Sequence, residues 1–451
     1  MRAHAAGRYN DVLTWAAWSR FNAVRQILGG VTAPRSEPFT PAASAFRLLA
    51  AGDVHFDRQE YVNSHVSLGP TPIWKPPLPW TIGRRVSRRL REICYRRLIS
   101  PRLLTQQVER DAFVEFSYAG VREGWQPYWH GANAQSRAPV LVDSTSPAVL
   151  AHPFERIAPM FHSSDLTVVN LETPLSARPR KRNWFRSDPA YATAIRDAGI
   201  DVVNVSNNHI FDMGEAGFFD TLEAVQTAGL AAVGVGRCFD DARRGRVVER
   251  NGLRFLFLSY SQLCNSHFAS LATSQCPGIL PLDRQLMRED VEAARGRADF
   301  VIVSVHWGFE DQPNVHPQQV EIAHLLIDAG ADCILGHHSH CPHAIEIYRE
   351  RPIFYSLGNL IFGIFWRDWA DNMVVELVIE DRRIQGVIVH PVATATAEEQ
   401  FQPAPSTGPR AEALLRSLQL KSVVFGTAIA IDGDKGYIST APRAAAVERI
   451  A

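Results

Sequence analysis

Cysteine, net charge and uninterrupted apolar sequence are all scarce in this chain of 451 residues, and each shortage removes a class of answer. The six cysteines, at positions 94, 238, 264, 276, 333 and 341, lie far apart with no Cys-x-x-Cys pair. Neither a zinc ribbon nor a disulfide framework is therefore expected, and a reducing cytoplasm is the default compartment. Basic and acidic residues number 47 each, a formal balance of zero that gives no global reason to expect nucleic acid as a partner. No run approaches the ~20 apolar residues of a transmembrane segment, and no signal-peptide core is visible. Trp15, Trp18, Phe21, Val24, Ile27 and Leu28 recur at roughly helical spacing, broken by Arg8, Asp11, Arg20 and Arg25. They predict an amphipathic helix packed on the domain or, alternatively, peripheral membrane association.

With 46% hydrophobic and 21% charged residues, the chain can bury a large core. Five apolar runs that read as strands each end in metal-ligand chemistry. Arg47 to Ala51 ends in Gly52-Asp53-Val54-His55, where Asp53 and His55, two residues apart on a strand, point the same way. Leu166 to Leu171 ends in Glu172, Val202 to Val205 leads to Asn208-His209, and Phe300 to Val305 ends in His306-Trp307-Gly308. Cys333 to Leu335 ends in Gly336-His337-His338-Ser339-His340. Neutral imidazole is the commonest protein ligand for transition metals, and ligands at the carboxyl ends of neighbouring strands face one crevice. Adjacent residues of an extended segment face opposite ways, which leaves the register of His337 and His338 open; the preferred reading pairs His338 with His340 and leaves His337 structural or an orienting residue behind them.

The order of these motifs, with Asn-Asn-His-x-x-Asp-x-Gly, His-Trp-Gly-x-Glu and Tyr355-Ser356-Leu357-Gly358-Asn359, resembles the calcineurin-like metallophosphoesterases. More specifically it resembles the bacterial capsule-synthesis (CapA, poly-gamma-glutamate) branch, over roughly residues 46 to 395. The resemblance implies an α/β fold, a two-sheet sandwich flanked by helices (αββα), holding two divalent transition metals: manganese, iron or zinc. Such a pair clamps a phosphoryl group and holds the attacking hydroxide, so hydrolysis of a phosphoester on a small or polymeric anionic substrate is expected. Asp53, His55 and His340 would hold one ion and Asn208, His306 and His338 the other, bridged by Asp53 or Glu172. His209 would stabilise charge on the phosphoryl oxygens and protonate the leaving oxygen. Asp212 and Glu310 are candidate orienting residues. The superfamily usually has Asp where Glu172 stands, whereas His55 restores a phosphoesterase feature that the capsule branch commonly lacks. The alternatives are a non-hydrolytic accessory of polyglutamate or capsule-polymer synthesis and a metal-dependent γ-glutamyl amide hydrolase.

Residues 59–153 form a Pro-, Trp- and Arg-rich insertion after the first strand, within a catalytic domain spanning 46–395; residues 1–45 and 396–451 are extensions. Arg84, Arg85, Arg88 and Arg89 alternate with Val86 and Leu90 in a helical pattern, as a solvated basic helix would. Because the insertion leaves directly from Asp53 and His55, these arginines are also candidates for recruiting an anionic substrate. Helices are predicted over 188–199, 215–229, 284–297, 317–330 and 411–420, a hairpin around Asn251-Gly252, and an antiparallel pair at 373–380 and 386–392. No internal repeat is found. His152, His162, His267, His316, His324, His343 and His390 are read as ordinary surface or loop residues.

Overall fold

Strands apolar on both faces must be covered on both faces, and this requirement sets the layering. The computed structural model describes residues 37–56, 146–179, 185–262, 271–363 and 370–441. One sheet runs in the order β17 (Ala430–Asp432), β18 (Lys435–Ser439), β15 (Arg383–Ala393), β14 (Asn372–Glu380), β1 (Phe46–His55), β2 (Leu166–Leu171), β3 (Val202–Asn204), β4 (Ala231–Val233). β13 (Asn359–Phe362) pairs with the end of β1 and β16 (Ala404–Pro405) with β15. The second sheet runs β11 (Ile345–Tyr348), β12 (Arg351–Phe354), β10 (Cys333–His337), β9 (Phe300–His306), β7 (Leu253–Ser261), β6 (Arg246–Arg250). β5 (Val235–Gly236) and β8 (Gly278–Ile279) form a separate ribbon.

Alternation along each strand divides the apolar residues between two layers. Leu48 and Ala50 of β1 join Phe255, Phe257, Phe300 and Leu335 in the core between the sheets. Leu49 and Ala51 face outward to Phe161, Ile195 and Phe218 on covering helices. The second sheet is covered in the same way, Leu256, Val301 and Val303 packing with Met287, Val291 and Leu326. Full burial of a side chain such as Leu48 contributes about 1.5–3 kcal/mol. The expected helix–sheet–sheet–helix sandwich is therefore the fold observed.

β1 to β4 are parallel, as are β7, β9, β10 and β12. Parallel neighbours need crossovers, and helices at Tyr191–Asp197, Gly214–Thr227, Arg284–Ala294 and Pro317–Ala329 supply them. The carboxyl ends of both strand sets consequently meet at one rim. The predicted hairpin is present as β6–β7, with Asn251 and Gly252 both at positive φ. Helix Gly408–Ser422, β17 and β18, in the segment read as a C-terminal extension, pack Leu415, Leu418 and Ile438 into the inter-sheet core. The predicted N-terminal helix and nearly all of the insertion, including Arg84, Arg85, Arg88 and Arg89, lie outside the described residues. Among the described residues no helix is long and apolar enough to cross a membrane.

Candidate metal centre

Register is what brings the donors together. Asp53, Asn170 and Asn204 are partners across β1, β2 and β3. The Asn204 amide donates to Asn170 Oδ1 (2.8 Å) and the Asn170 amide to Asp53 Oδ1 (2.8 Å). This two-step relay fixes the Asp53 carboxylate from below. Its other oxygen accepts the His338 backbone N–H (3.4 Å) and lies 3.3 Å from His340 Nδ1. Glu172 follows β2, and its Oε1 stands 3.5 Å from His306 Nε2 and 4.0 Å from His340 Nε2. Asn208 Oδ1 is 2.9 Å from the same His306 nitrogen.

Three groups of donor atoms converge to within 4.8 Å among the described residues: Glu172, His306 and His338; Asp53, Glu172 and His340; Glu310, His338 and His340. Glu172 belongs to two of them, as a bridging carboxylate would. The donors themselves support a cation. Both oxygens of Glu172 are fully buried and accept no hydrogen bond, an arrangement costly for an anion unless a positive charge completes it. Imidazole, carboxylate and amide donors together suit manganese, iron or zinc.

The charges within the cluster oppose one another. Burial raises the Asp53 carboxyl, but the hydrogen bonds and charges of His337 and His340 outweigh it and hold the group well below the ordinary carboxylate range. Burial and the Asp53 charge push Glu172 well above its ordinary value. Burial and the neighbouring His338 keep His306 neutral, and burial lowers His338 to about 4. His340 rises because the Asp53 hydrogen bond and charge overcome its burial.

Most of the sequence-predicted residues meet here; His55 stands apart. It ends β1 and is buried, yet joins none of the three donor groups; its ring packs on Phe185 (3.9 Å between centroids) and Phe362 (5.1 Å). His209 Nδ1 lies 2.7 Å from Asp212 Oδ2. His337 stays on β10 with its Nδ1 3.3 Å from Asp53 Oδ1. The expected alternation of the last motif does not hold beyond it, because His338 and His340 adopt φ of 92° and 57° and the backbone turns instead of extending. Left-handed backbone at a non-glycine residue costs about 1–3 kcal/mol and persists only where the surroundings impose it.

The Tyr355–Asn359 segment packs against the strand ends that carry Asp53 and the His337–His340 motif. A side chain on Gly52 would sit 1.9 Å from Gly358 O, and one on Gly336 2.2 Å from Tyr355 O, so both strand ends approach this backbone as only glycine can. The Asp53 N–H donates to Gly358 O (2.9 Å) and the Leu357 N–H to Gly336 O (3.0 Å). Asn359 Oδ1 lies 2.9 Å from His340 Nδ1 and fixes that ring. Asn359 and Asn170 sit in motifs visible in the sequence, but nothing there gives them these roles. Phe185, stacked on His209 at 4.0 Å, gave no sequence signal at all.

Two histidines read as ordinary surface or loop residues are buried instead. His343 Nε2 donates to Gln312 O (2.6 Å), and His390 on β15 pairs with Glu376 (2.8 Å). Both follow from their places on the folded chain, which an isolated histidine in the sequence does not reveal. His267 lies outside the described residues.

Residues 122–364 match the family described as "Bacterial capsule synthesis protein PGA_cap". That span contains Glu172, Asn208, His209, His306 and the His337–His340 motif and excludes Asp53 and His55. "Capsule biosynthesis protein CapA" of Bacillus anthracis is 32% identical over 240 residues, 51% of this chain and 58% of that protein. "PGA biosynthesis protein CapA" of Bacillus subtilis (strain 168) is 32% identical over 229 residues, 49% of this chain and 60% of that protein. The chain thus spans less than two thirds of the length of these curated relatives. Among solved structures, the calcineurin-like phosphoesterase YfkN from Bacillus subtilis is 13% identical, with 52% of this chain and 78% of that chain covered and a TM-score of 0.34.

Proposed function

The chain belongs to the bacterial capsule synthesis protein PGA_cap family, its match covering more than half of the sequence, and on that premise we propose that it is a metal-dependent hydrolase of anionic phosphoesters. The observation that carries the proposal is Glu172: a fully buried carboxylate without a hydrogen bond, shared by two donor groups and flanked by imidazoles. Asp53, Glu172 and His340 would hold one divalent transition-metal ion, with His55 at the same strand end; Glu172, Asn208, His306 and His338 would hold a second. The ions would supply Lewis acidity toward phosphoryl oxygens and toward the attacking water.

The remaining residues aim this chemistry. Asn170 and Asn204 hold Asp53, and Asn359 holds His340 by Nδ1 so that Nε2 faces Glu172. Asp212 takes Nδ1 of His209, leaving Nε2 as the nitrogen that hands a proton to the departing oxygen. Glu310, exposed beside His338 and His340, stands where a substrate would approach. The basic segment containing Arg84, Arg85, Arg88 and Arg89 would recruit the anion.

The biosynthetic name of the Bacillus subtilis relative favours a second reading, in which the crevice engages a polyglutamate chain and either only binds it or cleaves a γ-glutamyl amide. Metal analysis of the purified protein, followed by parallel assays on phosphoesters and γ-glutamyl amides, separates the readings. About two transition-metal ions and turnover of phosphoesters alone are expected. Metal well below one ion per chain after preparation with ample metal refutes the centre, and amide turnover alone moves the assignment to the second reading.

A further inference from the structure

The chain that leaves β2 at Glu172 doubles back toward the metal centre. The Ser187 N–H donates to Pro174 O (2.9 Å) and the Ser176 N–H to Ser187 O (3.0 Å), and this closure sets Phe185 against the site. From there five rings follow one another. His209 stacks on Phe185 (4.0 Å, 24° between planes), Phe185 packs on His55 (3.9 Å), His55 on Phe362 (5.1 Å), and Phe362 on His340 (4.7 Å). The arc joins the proton-donating histidine to a metal-ligand candidate, and Phe185 is its first link.

Phe185 touches the His209–Asp212 pair twice. Its backbone N–H donates to Asp212 Oδ2 (2.9 Å), the same oxygen that meets His209 Nδ1 at 2.7 Å. Its ring covers one face of the imidazole. The two restraints act in different directions. A hydrogen bond in the ring plane fixes where Nδ1 sits but leaves the imidazole able to swing about the Nδ1···Oδ2 line, carrying Nε2 out of line. A ring stacked on its face opposes that swing.

We propose that Phe185 is a positioning residue that fixes the plane of His209 and so aims Nε2 at the leaving oxygen. The inference rests on the reading that His209 hands over a proton. The phenyl ring offers no donor atom, so it is not itself a metal ligand.

The test uses the full chain with its metal complement and two phosphoesters, one with a poor alkyl leaving group and one with a good nitrophenyl leaving group. Phe185→Ala should lower kcat on the alkyl ester about tenfold or more, the scale of a misaimed catalytic group. KM, metal content and kcat on the nitrophenyl ester, whose departure needs little protonation, should stay near wild type. Phe185→Tyr restores a stacked ring and should recover most of the loss. Combined with Asp212→Asn, Phe185→Ala should cost less than the product of the two separate effects, because both act through one imidazole. A second readout does not depend on turnover. A phenyl ring stacked at 4.0 Å shifts the His209 ring protons upfield, so Phe185→Leu should return them toward free-imidazole positions while those of His306 stay in place. An alkyl-ester kcat equal to wild type in Phe185→Ala overturns the proposal, as do unmoved His209 resonances in Phe185→Leu. If the wild-type protein hydrolyses no ester, the proposed function fails, and the resonance shift still decides whether Phe185 stacks on His209.

Discussion

Replacing Glu172 by Gln should stabilise the metal-free protein and destabilise the metal-bound one. Asp53 and Glu172 present oxygens no more than 4.8 Å apart in a fully buried site. At an effective dielectric of about 20, two negative charges at that separation repel by about 3.5 kcal/mol. The metal-free protein avoids the clash by keeping Glu172 protonated, consistent with burial and Asp53 pushing that carboxyl well above its ordinary value. A protonated Glu and a Gln bury nearly the same polar surface, so the main difference is the free energy of holding the proton. The folded state then binds a proton that the unfolded state releases, so metal-free stability falls as pH rises from the ordinary glutamate pKa toward neutrality. Glu172→Gln removes that slope. At pH 7 in chelator the variant should melt higher, by up to roughly 10 °C for ~3.5 kcal/mol in a domain of this size, and the advantage should vanish near pH 4.5. With excess manganese or zinc the order should reverse, because the wild-type carboxylate becomes a ligand and binding stabilises in proportion to affinity. Thermal melts at several pH values, with chelator and with metal, read both effects. A metal-free variant less stable than wild type at neutral pH, or equal responses of the two proteins to metal, would refute the reasoning.

His209→Ala should retain metal while kcat falls roughly 10²-fold or more, whereas His306→Ala should lose metal; equal metal loss in both by elemental analysis would mean that His209 is a ligand. Asn359→Ala removes the partner of His340 Nδ1 and should weaken metal affinity about 10- to 100-fold in a competition titration. Burial holds His343 at about 4, so the unfolded state takes up a proton between about pH 6.5 and 4 that the folded state refuses, and stability falls by up to about 3 kcal/mol across that window. His343→Leu should flatten that part of the urea-midpoint profile, and an unchanged slope would show that other groups set it. Neutralising Arg84, Arg85, Arg88 and Arg89 together should raise KM for an anionic substrate and abolish its salt dependence, with turnover of a small ester retained; an unchanged KM would leave the segment a solvated helix.

The layering and the gathering of polar residues at the rim are legible in the sequence for one physical reason: a strand buried on both faces is a short apolar run, and polar residues can begin only where it reaches the rim. Asp53, Glu172, Asn208, His306 and His338 all occur at that transition. What holds them is less legible. The Asn204–Asn170–Asp53 relay depends on the register between strands separated by many residues, which no local pattern records. The turned backbone at His338 and His340, and the close packing of the Tyr355–Asn359 segment on Gly52 and Gly336, are likewise set by contacts that no local pattern records. Phe185 arrives through a loop closure of its own. His343 and His390 look like ordinary polar residues until the surrounding chain buries them.

The donors at positions 53, 172, 208, 306, 338 and 340 come from the rims of two different sheets, and their orienting partner Asn359 lies further on again. Contacts between residues so distant in sequence form late, after loop closures that local structure cannot shortcut. A chain with only one sheet in place would own half a donor set, and half a set is a weak chelator. On the proposed reading, tight metal uptake would mark completion of the whole sandwich, so a metal-sensitive dye or isotope exchange followed during refolding would time the docking of the two sheets. An ion bound there would link the two layers, and its binding free energy would add to the stability of the finished fold.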